Sequence, residues 1–189
     1  MAGPHLRPPR RIPGHGTLHH GFTMVELIIV IVLVGILGTI AVGRFMDRGS
    51  FDTVAWAEQV KATLRYAQKV AIAQNTPVFV HMTRQRVAIC LSDDTACADA
   101  DKRVLAPGGA NSGSKATRDA CASSSWMCEG RPNGVTMTLP GVDAAATGSV
   151  AFDGLGRASM SGGFGGRLDI VGDGVTAVVL IDPESGYVQ

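Results

Sequence analysis

Beyond residue 21 this chain has a single histidine, His81, set in a strand-like run between Val80 and Met82. A Ser/His/Asp nucleophile system would have to be built around it, and no nucleophile-elbow sequence is present to support one. His81 is therefore read as a solvent-facing strand residue. Phosphate loops are missing as well. Gly154-Leu155-Gly156 lacks a third glycine at Ser159, and Gly162-Gly163-Phe164-Gly165-Gly166 is not followed by Lys-Ser/Thr, so both read as turns. Four cysteines are present, none in a C-x2-C pair, and the zinc reading loses its ordinary spacing. No sign of charge dominates, with 17 Lys+Arg against 16 Asp+Glu. A broad basic field of the kind nucleic-acid binders use is thereby excluded. Aromatics are 5% of the chain against 24 glycines, the composition of a small, loop-rich β domain.

Charge is also absent, completely, from residues 27–42. Residues 22–42 are roughly long enough to cross a bilayer. Just before the uncharged stretch runs Gly21-Phe22-Thr23-Met24-Val25-Glu26-Leu27, which sets one carboxylate five residues past a glycine. A lone carboxylate in such a segment costs about 2.5–3.5 kcal/mol on insertion scales, so Glu26 needs a partner. A cut after Gly21 would provide one, because Phe22 would gain a free α-amino group at the same depth. Residues 1–21 carry Arg7, Arg10 and Arg11 and no acid, while Pro4, Pro8, Pro9 and Pro13 forbid a stable helix. No apolar h-region precedes Gly21 and no A-x-A site follows the apolar run, so a conventional signal peptide fits poorly. Basic residues ahead of the span keep that end cytoplasmic. His5, His15, His19 and His20 read as solvated leader residues, not metal ligands. Losing Arg7, Arg10 and Arg11 with the leader leaves 14 basic against 16 acidic side chains, a formal −2.

The heptapeptide and its apolar run resemble the N-terminus of the type IV pilin superfamily, the class III prepilins and pseudopilins. The resemblance implies that prepilin peptidase, a membrane-embedded aspartyl enzyme, cuts between Gly21 and Phe22 and that Phe22 is then N-methylated. It also implies that Glu26 pairs with the Phe22 amino group of a neighbouring subunit and so sets axial register. Such proteins often carry a proline where this chain has Gly43, which suggests a bend or a meltable segment there. A second resemblance lies in Val150-Ala151-Phe152-Asp153-Gly154-Leu155-Gly156-Arg157 and the segments 168–171, 175–181 and 186–188. These look like the C-terminal β region of the GspH/FimT-like minor pseudopilins and pilins, and of a minor pilin of the mannose-sensitive haemagglutinin (MSHA) pilus.

Past the apolar run the pattern is helical from 51 to about 74. Trp56, Val60, Leu64, Ala67 and Ala71 form an apolar stripe that would pack on a sheet, with Glu58, Lys61, Arg65 and Lys69 largely off it. Asn75-Thr76-Pro77 ends it. A period of two then marks strands over 77–82 and 86–91, joined at Thr83-Arg84-Gln85, and further strands over 135–139, 149–152, 167–171 and 175–181. Gly172-Asp173-Gly174 reads as a tight hairpin turn. Residues 92–133 form a long polar insertion, a length that is usually functional or mobile. Cys90, Cys97, Cys121 and Cys128 brace it, read as two disulfides of an exported domain. Three pairings are possible; the two C-x6-C spacings favour Cys90–Cys97 and Cys121–Cys128. Asp93, Asp94, Asp99 and Asp101 gather around Cys97 and read as a solvated acidic loop, with Ca2+ as the alternative.

The expected fold class is α+β, a long N-terminal helix with a membrane-embedded first half, packed on an antiparallel β-sheet domain. Its expected divisions are a leader (1–21), an assembly helix (22–47), an amphipathic helix (48–76) and a β domain (77–189) holding the 92–133 insertion. The function implied is that of a non-enzymatic minor pilin or pseudopilin that starts, or sits at the tip of, a type IV pilus or type II secretion pseudopilus. Two alternatives stand beside it. One is a tip binding module for adhesion or DNA uptake, with Arg84, Arg86, Lys102, Arg103, Lys115, Arg118 and Arg131 as phosphate contacts. The other is a major fibre subunit. Expected partners are prepilin peptidase, other pilin or pseudopilin subunits and the bacterial inner membrane, with the C-terminal domain in the periplasm. No cofactor, metal or nucleic acid is expected.

Overall fold

The computed structural model describes residues 22–45, 48–94, 97–142 and 148–189, with side-chain environments within α1 described through Gly38. The chain falls into two compact units, Met1–Arg44 and Phe45–Gln189. Helix α1 spans Met24–Phe45, all but its last residue in the first unit. It runs without interruption through Gly43, where the sequence suggests a bend or a meltable segment. One glycine costs a helix about 1 kcal/mol relative to alanine, and a 22-residue helix absorbs that.

In the second unit, α2 covers Arg48–Gln74. Trp56, Val60, Leu64, Ala67 and Ala71 are all buried, forming the face that packs on the strands. The helix ends as its sequence demands. Asn75 takes a left-handed φ of 49°, Thr76 N donates to Ala71 O, and Asn75 N donates to Ile72 O. These two bonds satisfy carbonyls that the last turn would otherwise strand.

Among the described residues eight strands follow, all paired antiparallel: β1 Val78–Met82, β2 Arg86–Cys90, β3 Cys128–Gly130, β4 Thr136–Thr138, β5 Gly148–Phe152, β6 Ala158–Ser161, β7 Arg167–Gly172 and β8 Val175–Leu180. They form a five-stranded sheet, β3-β2-β1-β5-β6, and a three-stranded one, β4-β7-β8. The β7–β8 turn is the two residues Asp173 and Gly174, with φ of 48° and 75°. Both values are positive, as the turn that matches strand twist requires. α2 packs against both sheets and closes the main core, which includes Val78, Val80, Met82, Phe152, Leu168 and Ile170. The fold is α+β.

The five-stranded sheet is covered on its other face too. Residues 92–133 hold two 3-10 turns, helix α3 at Lys115–Cys121, and strand β3 paired to β2. The segment is thus a built layer, not the unstructured insertion its composition suggests. It places Val104, Ala106 and Met127 in the main core. It also forms a second cluster from Ala88, Cys90, Cys97, Cys121, Trp126 and Cys128. His81 sits under this layer and is 3% exposed, which corrects its reading as a solvent-facing residue. Strand alternation does set it opposite to Val80 and Met82, but the face it occupies is occluded.

A chain that begins at Arg48 is expected to remain soluble and to unfold in a single cooperative transition. Among the described residues, those of the main core run from Trp56 onward. Circular dichroism and a urea titration of this truncated protein check it; a broad, multiphasic loss of signal would show that α1 is needed for the core.

Candidate functional site

The residues that carry the processing reading begin at the start of α1. Gly21 and the leader lie outside the described residues. Phe22 is exposed, and Thr23 immediately precedes the helix. Thr23 Oγ1 accepts from Glu26 N at 3.2 Å, and Leu27 N donates to Thr23 O at 3.1 Å. Thr-x-x-Glu at a helix start is a capping pattern, and this role of Thr23 is absent from the motif read for charge alone. Glu26 stands in the first turn, where the partial positive charge of the helix N-terminus favours an anion. Two independent features therefore converge on Glu26: the cap fixes its backbone, and the helix end favours its charge.

Every described large apolar side chain of α1, from Met24 to Leu37, is exposed. They lie on all sides of the helix, and a helix apolar all round belongs in an apolar surrounding. Among the described residues no helix is long and apolar enough to cross a membrane. The side chains described from Met24 to Gly38 correspond to about 22 Å of rise, short of a hydrocarbon core of about 30 Å.

The 92–133 layer is the other candidate surface. Disulfides join Cys90 to Cys97 and Cys121 to Cys128, with Cα separations of 5.8 and 5.9 Å. Buried Glu129 anchors the start of α3 from β3. Its carboxylate accepts from Ser112 N at 2.8 Å, from Ser112 Oγ at 2.5 Å and from Thr117 Oγ1 at 2.8 Å. A buried carboxylate with three donors is a strut, because each bond to a charged group contributes about 1.5–3 kcal/mol. Gly130 follows it under α3, where an added Cβ would lie 2.1 Å from Ala116 O. Gly130→Ala is expected to destabilise the domain by about 1–3 kcal/mol or more, since backbone rather than a flexible side chain must move. Thermal melting of the variant checks this, and an unchanged midpoint would show that α3 is free to shift.

The basic residues that a DNA-binding reading needs are largely committed to the fold. The Arg86 and Arg103 guanidiniums lie 5.5 and 4.4 Å from the centroid of the Trp126 ring. Burial, and then the Arg103 charge, lower the Arg86 pKa. Arg86 donates to Ala120 O, Arg103 to Cys97 O, Arg118 to Gly113 O and Arg131 to Arg84 O, while Lys115 pairs with Asp119. Two carboxylates of the acidic loop are likewise used locally. Asp94 accepts from Ala98 N and Asp99 N, and Asp99 from Asp101 N. Two open grooves of about 380 and 420 Å³ flank Arg131. Neither lines up a nucleophile with a base.

A family model described as the prokaryotic N-terminal methylation motif matches residues 17–42. The chain is 44% identical over 54 residues to the type IV narrow pilus major component PilA5 of Thermus thermophilus. That match covers 29% of this chain and 47% of the relative, so the chain spans about half the length of the curated protein it matches. No solved structure matches the chain.

Proposed function

We propose, from the premise that the chain is a member of the type IV pilin superfamily, that it acts as a minor pilin or pseudopilin. It is a structural subunit and a substrate of prepilin peptidase, not an enzyme. The observation that carries this reading is the methylation motif matched over residues 17–42, together with helix α1 from Met24, whose described apolar side chains are all exposed. Cleavage after Gly21 would free the Phe22 amino group. The helix would hold the protein in the inner membrane with residues 48–189 in the periplasm. On assembly, the same apolar side chains would pack against the helices of other subunits, and Glu26 would meet a neighbour's Phe22 amino group.

A place at the start or tip of a pilus or secretion pseudopilus suits the 92–133 layer, an added structured face on the sheet. A binding role at that tip is the weaker reading, since its arginines are held by carbonyls and by Trp126. A major-subunit role has one observation in its favour, the similarity to a Thermus protein that is a major pilus component. Quantitative mass spectrometry of sheared filaments separates the two. A minor subunit should be present at a few copies per filament, and its deletion should cut filament number. If the chain makes up the bulk of the fibre, the minor reading fails.

A further inference from the structure

One side-chain cluster outside the assembly segment has metal-ligating chemistry. His81 on β1, Cys90 at the end of β2 and Cys97 bring an imidazole nitrogen and two sulfurs within 4.8 Å of one another, all in buried residues. Sheet register makes the cluster. His81 pairs across to Ala88, two residues before Cys90 and therefore on the same face. His81 Nε2 lies 3.3 Å from Ser92 O. A carbonyl oxygen only accepts, so Nε2 carries the hydrogen, and in the neutral ring that tautomer leaves Nδ1 with a lone pair. A ring N–H donated to a carbonyl is the arrangement that orients metal-bound histidines. Beside that carbonyl, Ser92 Oγ is buried with no hydrogen-bond partner. An unpaired buried hydroxyl is uncommon, and it marks a place for a further polar group.

We infer that Cys90, Cys97 and His81 form a site for one Zn2+ or Cd2+ ion when the Cys90–Cys97 disulfide is reduced. The two states exclude each other, because ligation uses the sulfurs that the disulfide joins. Reduction by a dithiol breaks the S–S bond, delivers two electrons and two protons to the sulfurs, and turns the dithiol into its own disulfide. Metal binding then forms two metal–thiolate bonds and releases those two protons to solvent. Two thiolates and one imidazole suit a soft or borderline d10 cation, with the fourth tetrahedral position left to a water near Ser92 Oγ. This ligand set differs from the four-cysteine zinc site that the spacing excludes. Either crosslink, disulfide or metal, ties Cys97 to the end of β2. Among the described residues Cys121 and Cys128 belong to no such cluster and serve as an internal reference.

The test uses the full chain in detergent micelles, reduced anaerobically with a phosphine, which leaves no competing thiol. Maleimide labelling is followed residue by residue with and without Zn2+, by peptide mass mapping. Zn2+ should slow labelling of Cys90 and Cys97 by more than about tenfold relative to Cys121 and Cys128, the least effect expected when even outer-shell changes alter metal affinity that much. His81→Ala should abolish that protection, and the oxidised variant should still show the Cys90–Cys97 peptide, which reports that it folds. Equal labelling of all four cysteines in the presence of Zn2+ would overturn the site. So would protection that His81→Ala leaves unchanged.

Discussion

Glu26→Val is expected to leave leader removal and membrane residence intact while reducing incorporation into filaments by about tenfold or more. The substitution removes a carboxylate whose insertion cost is about 2.5–3.5 kcal/mol, so partition into the membrane improves. What it loses is an anion at a helix N-terminus, contributing about 0.3–1 kcal/mol within the chain, and the charge partner of a neighbour's amino group. Opposite charges about 4 Å apart at an effective dielectric near 20 attract by about 4 kcal/mol. A third of that corresponds to about tenfold in association. Thr23 caps the same turn through its hydroxyl and still accepts from the backbone N–H at position 26, so the helix should start where it does now. Membrane and filament fractions blotted for the variant, with partner subunits at wild-type levels, measure the outcome. Wild-type recovery in filaments would remove Glu26 from the register role and leave it as a helix-end residue only.

What is legible in the sequence is local in origin. The α2 stripe follows from apolar residues at three- and four-residue steps, and those residues lie on the packed face of the helix, joined there by Ala57. Its stop at Asn75 and the Asp173-Gly174 turn follow from which residues accept positive φ. The strands read from a period of two appear within a residue or two of their ends. Harder to read is whatever depends on what covers it. Residues 92–133 look like a polar insertion because their order comes from partners distant in the chain. Glu129 holds Ser112 and Thr117, Trp126 takes the Arg86 and Arg103 guanidiniums, and β3 finds β2. His81 is misread for the same reason: alternation assigns its face, while only the fold assigns that face a cover. β6 escapes notice because Ala158-Ser159-Met160-Ser161 alternates over only four residues and holds no β-branched or aromatic side chain, and it exists by pairing with β5. In the assembly segment, Thr23 is visible as Thr-x-x-Glu but is overshadowed by the charge of Glu26. Gly21, by contrast, is legible in the sequence alone.

Leader removal is the largest expected change, an all-or-none loss of residues 1–21. Those residues hold three arginines, no acid and four prolines, so their sequence opposes a helix that would continue α1 outward. Gly21 offers the peptidase the least bulky residue possible before the bond, and Thr23 and Glu26 start the helix just after it. The cut would create the positive charge at Phe22 that the proposed register role of Glu26 requires, and an uncleaved chain would lack it. Intact mass and N-terminal sequencing of the protein, purified from cells with an active prepilin peptidase, test this most directly. The expected product is a chain that begins at Phe22 with one added methyl group on its amino nitrogen. A mature chain that still carries Arg10 and Arg11 would contradict it.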